Sequence, residues 1–303
     1  MITLNTDKGL VSIESWEDII QLPGYTRDLN PEKIKLKEIT GKYSLKEKIS
    51  CGLSTCHQPH NHGYIATTES GELTNIGNIC GKNHFGIAFE EFSRKFDERL
   101  TDHNNREYIT SFQSKITAHL KSIHELRTCD KGADWVYRNT RPFLINSTNC
   151  PERIFNEIKR MIRDRNGKFS TYRLATNEEI KELEAIQNKS IPLPHYIEEP
   201  TGILRGLTCL FSDYDLREIL IKDLTENLKK LTTLDITNSL SQELKHWSKW
   251  IQGFDKKIER AKTATKAGNA FLKRNNIIQL QEILTSSKEK TEFRKWILRI
   301  KLK

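Results

Sequence analysis

Thiol and imidazole side chains bind zinc and related metals, and this chain concentrates both in one segment. Six cysteines lie at positions 51, 56, 80, 129, 150 and 209. Three of them, with four of the nine histidines, fall within the 34 residues 51–84. The run is Cys51-Gly-Leu-Ser-Thr-Cys56-His57-Gln-Pro-His60-Asn-His62, and later Cys80-Gly-Lys-Asn-His84. Zinc prefers these donor atoms, and a structural site closes tetrahedrally with four of them. In an intracellular chain, cysteines so clustered read as metal ligands before disulfides. Between the two groups, residues 63–79 read as a β-hairpin. Two short runs flank a Glu69-Ser70-Gly71-Glu72 turn, in which Gly71 can supply a positive φ. A loop pair, a hairpin that folds the chain back, and a pair in a helix's first turn would meet at one point.

That order of knuckle, hairpin and helix resembles the treble-clef zinc finger over residues 51–86, about a tenth of the chain. The resemblance implies Cys51 and Cys56 as knuckle ligands and Cys80 and His84 as helix-start ligands of a structural zinc ion. The spacing departs from the usual pattern. Four residues rather than two separate the first pair, and the second pair is Cys-x3-His rather than Cys-x2-Cys. His57, His60 and His62 therefore remain alternates, each able to replace Cys56. The His60-Asn61-His62 triplet spells the name of the HNH nucleases, but adjacent residues cannot supply histidines from separate elements. Cys129, Cys150 and Cys209 stand alone and read as small buried hydrophobes.

The charge is unevenly placed. Formal net charge is +9 over 303 residues. Residues 245–303 hold sixteen Lys or Arg against five Asp or Glu, a net +11, which leaves −2 for the other 244. A basic tail of this kind suits a polyanion, because neutralising phosphates releases counterions. Lys256, Lys257, Arg260, Lys273, Arg274, Arg294, Lys295 and Arg299 are the expected nucleic-acid contacts, to DNA or RNA. A second basic–aromatic stretch, 135–143, holds Trp135, Tyr137, Arg138, Arg141 and Phe143. It reads either as a base-stacking surface or as a core edge with arginines at its rim.

The elements that must carry these residues are mostly helical. Glycine and proline are few, and valine occurs only at Val11 and Val136. Residues 1–50 form a mixed segment with short strands expected within 4–13 and 33–40. The zinc module (51–86) precedes a helical middle region (87–190). There Phe85, Phe89, Phe92, Phe96 and Leu100 make one helical stripe, and Ile109, Phe112, Ile116, Leu120 and Ile123 a second. The interruption is expected at Asp102-His-Asn-Asn105. Residues 132–150 read as irregular, and helices are expected after Pro151 and over 177–189. The proline-bearing segment 191–211 reads as a linker. A basic helical C-terminal region (212–303) opens with Ser212 as N-cap. Leu240, Leu244, Trp247, Ile251, Phe254, Ile258 and Ala261 then repeat at heptad spacing, as in a coiled-coil hairpin. Gly268 is expected to separate a helix over 269–284, and Trp296 to anchor a last one over 289–302.

No phosphate loop, dinucleotide fingerprint or zinc-protease motif is present. The acidic pairs Asp213/Asp215 and Glu198/Glu199 read as a helix start and a solvated linker. No catalytic residue is assigned. The first ten residues carry no apolar run, and no stretch suits a membrane span, so a cytoplasmic protein is expected. The sequence thus points to a mainly helical α+β protein with a structural zinc that binds nucleic acid without catalysis. The alternative is an adaptor whose heptad helix, 240–261, docks a protein partner or a second copy. A metal-dependent nuclease is the third reading.

Overall fold

The computed structural model describes residues 1–7, 9–145 and 150–300. It is a mixed α+β protein, about 56% helix and 20% strand. Two compact units are distinguished: Met1–Ser111 with Asp235–Ser248, and Phe112–Leu234 with Lys249–Lys303. No helix among the described residues is long and apolar enough to cross a membrane.

The first unit is built on a five-stranded antiparallel sheet. Its strands are β1 (Ile2–Thr6), β2 (Gly9–Ile13), β3 (Leu36–Ser50), β4 (Pro59–Thr68) and β5 (Leu73–Gly77), in the spatial order β2-β1-β3-β4-β5. A short helix α1 (Trp16–Ile20) follows β2, started by a Ser15–Asp18 capping box. The expected hairpin forms as β4–β5, with Gly63 opposite Gly77 and Tyr64 opposite Ile76. Gly71 takes the positive φ of +88° in its turn. Residues 63–66 are all buried because the sheet is covered on both faces. Tyr64 and Ala66 pack with Leu53, Phe89 and Phe96, while Ile65 and Tyr43 pack with Ile2, Leu4 and Ile19. Helix α2 (Asn78–Gln113) supplies the aromatic stripe. Phe89 and Phe96 are fully buried, and Phe85, Phe92 and Leu100 pack at the edge. Asp102-His-Asn-Asn105 does not interrupt α2: the intrinsic helix cost of such residues is small, and the helix runs through all four. The break comes later, at Ser114–Lys115, before α3 (Ile116–Thr128).

The second unit gathers α3, α4 (Ala133–Leu144), α5 (Glu152–Arg163), β6 (Lys168–Leu174), α6 (Asn177–Gln187) and β7 (Tyr196–Ile203). A 3-10 turn (Leu207–Leu210) follows, then a π-helical segment (Glu218–Thr225) that continues into α7 (Glu226–Thr232). After α8 (Ser241–Gln252) come α9 (Phe254–Phe271), α10 (Arg274–Ile278) and α11 (Ser287–Arg299). One core joins Phe143, Ile158, Phe169, Leu210, Phe271 and Trp296. The C-terminal helices therefore share a core with α4, α5 and β6.

Several local expectations change. Residues 133–144 of the stretch read as irregular are helix α4, and 146–149 lie outside the described residues. Its Val136 and Phe143 enter the core while Arg138 stays exposed. Within 191–211, residues 196–203 pair with β6 as a ribbon. Ser212 opens only a short 3-10 turn. Asp215 caps the next helix, accepting from the N–H groups of Arg217 (2.8 Å) and Glu218 (3.1 Å). The heptad segment is two helices that meet at Gly253. Leu244, Trp247, Ile251, Phe254 and Ala261 are buried, but Leu240 is exposed. Gly268 lies inside α9, where a Cβ would sit 2.1 Å from Val136 Cγ1, so it permits close packing of α4 on α9 rather than a break. Lys301, Lys303 and the end of the expected 289–302 helix lie outside the described residues.

Candidate metal centre

Three sulfurs meet where the loop after β3 reaches the start of α2. The Sγ atoms of Cys51, Cys56 and Cys80 lie within 4.8 Å of one another, and those of Cys56 and Cys80 are 2.7 Å apart. Cys51 is buried, and the other two are half-buried. Any metal ion there would be bound by thiolates, the softest common protein ligands, which favours zinc over magnesium or calcium.

The loop 51–58 is fixed by backbone bonds that the apolar pattern alone does not foretell. Gly52 N–H donates to Asn75 O (2.8 Å), and Cys51 N–H to Gln58 O (3.2 Å). Leu29 N–H donates to Gly52 O (3.0 Å) and Ser54 N–H to Leu29 O (3.0 Å), tying the loop to the segment before β3. Leu53, wholly buried, plugs the loop into the core. Asn75, 1% exposed, is the clasp. Its amide donates to Ser50 O (2.8 Å), its Oδ1 accepts from Tyr25 Oη (2.8 Å), and its carbonyl faces the Cys51 thiol at 3.9 Å. Sequence reasoning did not single out Asn75. The available signal was an amide between Leu73 and Ile76 in an expected strand, since a buried polar group must find partners.

Cys80 is set in the first turn of α2, and a kink a few residues on is built from glycine. Gly86 takes φ +52° and ψ −129°, a conformation open to glycine, and interrupts the helix. Beyond it the Phe89 ring lies so close to Gly81 that a Cβ would be 2.3 Å away. Phe89 meets Tyr64 edge-on at 5.7 Å between ring centres, so the Cys80 turn is pinned to β4.

The electrostatics of the three thiols are those of a crowded anion site. Burial pushes Cys51 up, against the N–H groups of Leu53 and Gly77, which pull it down. Burial also acts on Cys56, but bonds from Cys80, from the N–H of Gln58 and from Cys51 outweigh it and lower its thiol. Cys80 is pushed up to about 12 by burial and by its two sulfur neighbours. At both Cys51 and Cys56 the amide two residues on points at the sulfur, an arrangement that stabilises thiolates. A divalent cation at the centre deprotonates all three outright.

The histidines divide. His84 Nε2 lies 3.4 Å from Thr55 Oγ1, beside Cys56 but outside the three-sulfur cluster. His57, at φ +50°, faces Asp28 at 3.2 Å. His60 is held by Tyr43 Oη at 2.5 Å and Gln58 O at 3.0 Å. His62 is exposed on β4, opposite Ser44. Cys150 and Cys209 are buried as expected, whereas Cys129 is exposed.

Of the expected nucleic-acid contacts, Lys256, Arg260, Lys273, Arg274, Arg294, Lys295 and Arg299 are exposed. Lys257 is instead engaged within its unit. Its Nζ lies 2.8 Å from Asp223 Oδ2 and 4.9 Å from the centre of the Trp250 ring. Arg294 Nε donates to Gln281 Oε1 at 3.0 Å. Comparison of the chain with protein-family models, with curated proteins and with solved structures finds no match.

Proposed function

We propose that this chain is a zinc-braced, non-enzymatic nucleic-acid-binding protein. Cys51, Cys56, Cys80 and His84 hold a structural zinc in a treble-clef-like module. Support for the metal is the convergence of three thiols from a knuckle loop and a helix start on either side of a hairpin. His84 lies four residues beyond Cys80 and reaches Thr55, the neighbour of Cys56, which favours it as the fourth ligand. Stoichiometric zinc ties loop to helix and contributes folding free energy.

The observation that carries polyanion binding is the +11 net charge of residues 245–303, with seven of the eight named cations solvent-exposed. Lys256 and Arg260 sit four apart on α9 and so share a face. The test is fluorescence anisotropy with DNA and RNA, single- and double-stranded, over a salt series. Reversal of Lys256, Arg260, Lys273 and Arg274 to Glu should weaken binding. It should also flatten the log–log salt slope by about 0.7–0.9 per lost phosphate contact. Lys257 stays unchanged because Asp223 holds it. Absence of binding at low ionic strength, or binding untouched by the reversal, overturns the reading.

A protein-interaction role is the second reading, favoured by one observation. The β6–α6–β7 segment exposes Tyr172, Leu174, Ile186, Leu193, Tyr196 and Ile203, and α6 has no buried residue. An apolar interface of that kind responds little to salt, which separates it from phosphate tracking.

A further inference from the structure

The basic–aromatic stretch in α4 gains partners from elsewhere in its unit. Asp134, Tyr137, Arg138 and Arg141 lie three or four residues apart on one face of α4. Arg127 from the end of α3, and Arg217 and Ile221 from the helix opposite, complete a cleft of about 440 Å³. Its charges do not cancel. Arg127 is taken by Asp134 through two bonds, of 3.0 and 3.1 Å. Arg138 gives its Nε to the carbonyl of Asp134 in its own helix (3.2 Å). Among the described residues neither Arg138 nor Arg217 has a carboxylate within 4.0 Å, so two guanidiniums are left for a ligand.

The cleft also has an apolar end. Tyr137 and Leu216 line both it and an adjoining cavity of about 280 Å³ walled by Leu144, Ile162, Leu210 and Phe211. Ser212 and Asp215 lie in that second wall and offer a hydroxyl and a carboxylate. The Arg141 guanidinium sits over the Tyr137 ring at 5.2 Å, adding charge beside an aromatic face. The wall that carries Arg217 and Ile221 enters the eight-residue π-helical segment Glu218–Thr225. Such widened turns are rare and occur frequently at functional sites.

We propose that this cleft binds a phosphorylated nucleoside, with the phosphate on Arg138 and Arg217 and the base beside Tyr137 in the apolar cavity. Two unspent guanidiniums match a phosphate monoester in charge and in fork geometry. A flat ring with polar edges suits a largely apolar cavity whose wall also offers hydroxyls and a carboxylate. The ligand is either a free nucleotide or the phosphorylated end of a strand. No residue is shared with the basic C-terminal face, so this site and that reading can fail separately.

Calorimetric titration of the full chain with adenosine 5′-monophosphate is the test, beside adenosine and inorganic phosphate as partial ligands. The monophosphate should bind one site per chain and adenosine at least tenfold more weakly. The Arg138→Gln, Arg217→Gln double variant should lose about 100-fold, since two charge-assisted contacts go. Lys256→Gln with Arg260→Gln should bind the monophosphate as the wild type does. Arg127 is spared because its bond to Asp134 supports the α3–α4 turn, and circular dichroism verifies that the variants fold. Tighter binding of a ten-base oligonucleotide with a 5′-phosphate than of the same strand with a 5′-hydroxyl, by a margin the double variant abolishes, assigns the strand end; equal binding of the two strands assigns the free nucleotide. Adenosine binding as tightly as the monophosphate, a double variant with unchanged affinity, or no heat with any probe overturns the proposal.

Discussion

Replacement of Cys80 by serine severs the link between the knuckle loop and α2 at a single atom. The magnitude follows from chain topology. A metal bridge from Cys51 to Cys80 closes a loop of 30 residues, and a cross-link of that span lowers unfolded-chain entropy by about 3.6 kcal/mol at 25 °C. For a unit of about 125 residues, that loss corresponds to a fall in Tm of about 10–20 °C. The substitution itself is small, an oxygen for a sulfur in a half-buried turn, so nearly all the loss should pass through the metal. The assay pairs elemental analysis of protein purified without added metal with calorimetry in the presence and absence of a chelator. Wild-type protein should carry one zinc per chain and melt lower with chelator. Cys80→Ser should carry little zinc, and with excess chelator the two should melt together. Cys129→Ser, at an exposed thiol, should match the wild type throughout. His84→Ala should weaken zinc retention, and His60→Ala and His62→Ala should do so less. The reasoning is refuted if Cys80→Ser keeps a full zinc complement, or if chelator leaves the wild-type melting curve unmoved.

Leu244→Asp and Ile251→Asp place a carboxylate at positions 0% and 4% exposed. Each should cost about 4 kcal/mol or more in denaturant unfolding, whereas Lys249→Asp on the exposed face should stay within about 0.5 kcal/mol; equal effects would mean the helix phase is wrong. Asp223 gathers Lys257 Nζ (2.8 Å), Trp250 Nε1 (2.7 Å) and Asn227 Nδ2 (3.1 Å). Burial raises its pKa, but the Lys257 and Trp250 bonds outweigh burial and hold the carboxyl below the usual range. A depressed folded pKa contributes stability above the unfolded value of about 4, and that stability is lost as pH falls through the folded value. Asp223→Asn should therefore cost about 1–2 kcal/mol at pH 7, after allowance for solvent screening. The difference should vanish near pH 2; a cost that persists there would assign the effect to packing.

Much that was legible in the sequence is local. The β4–β5 hairpin follows from two short apolar runs and a glycine turn, and the stripe on α2 from aromatic residues three and four apart. Both depend on neighbours a few positions away, which sequence displays directly. The candidate metal centre was half legible: clustering of Cys51, Cys56 and Cys80 in sequence anticipated their clustering in space, because a short hairpin leaves the chain little room to diverge.

The surroundings of the histidines appear only in the fold. His57 is turned toward Asp28, 29 residues earlier, and His60 toward Tyr43 across the sheet. Nothing in their own spacing distinguishes them from His84. Asn75 becomes a clasp only because β5 lies beside the loop that follows β3. Lys257 looks like any cation of a basic tail until Asp223, 34 residues before it, takes its charge. The cleft of Arg127, Arg138 and Arg217 spans 90 residues of chain, and the sequence displays only its basic–aromatic part at 135–143. Periodicity reports which face of an element is apolar. Which faces meet, and which charges stay unspent, is set by contacts between elements far apart in sequence, and those exist only after the chain has packed.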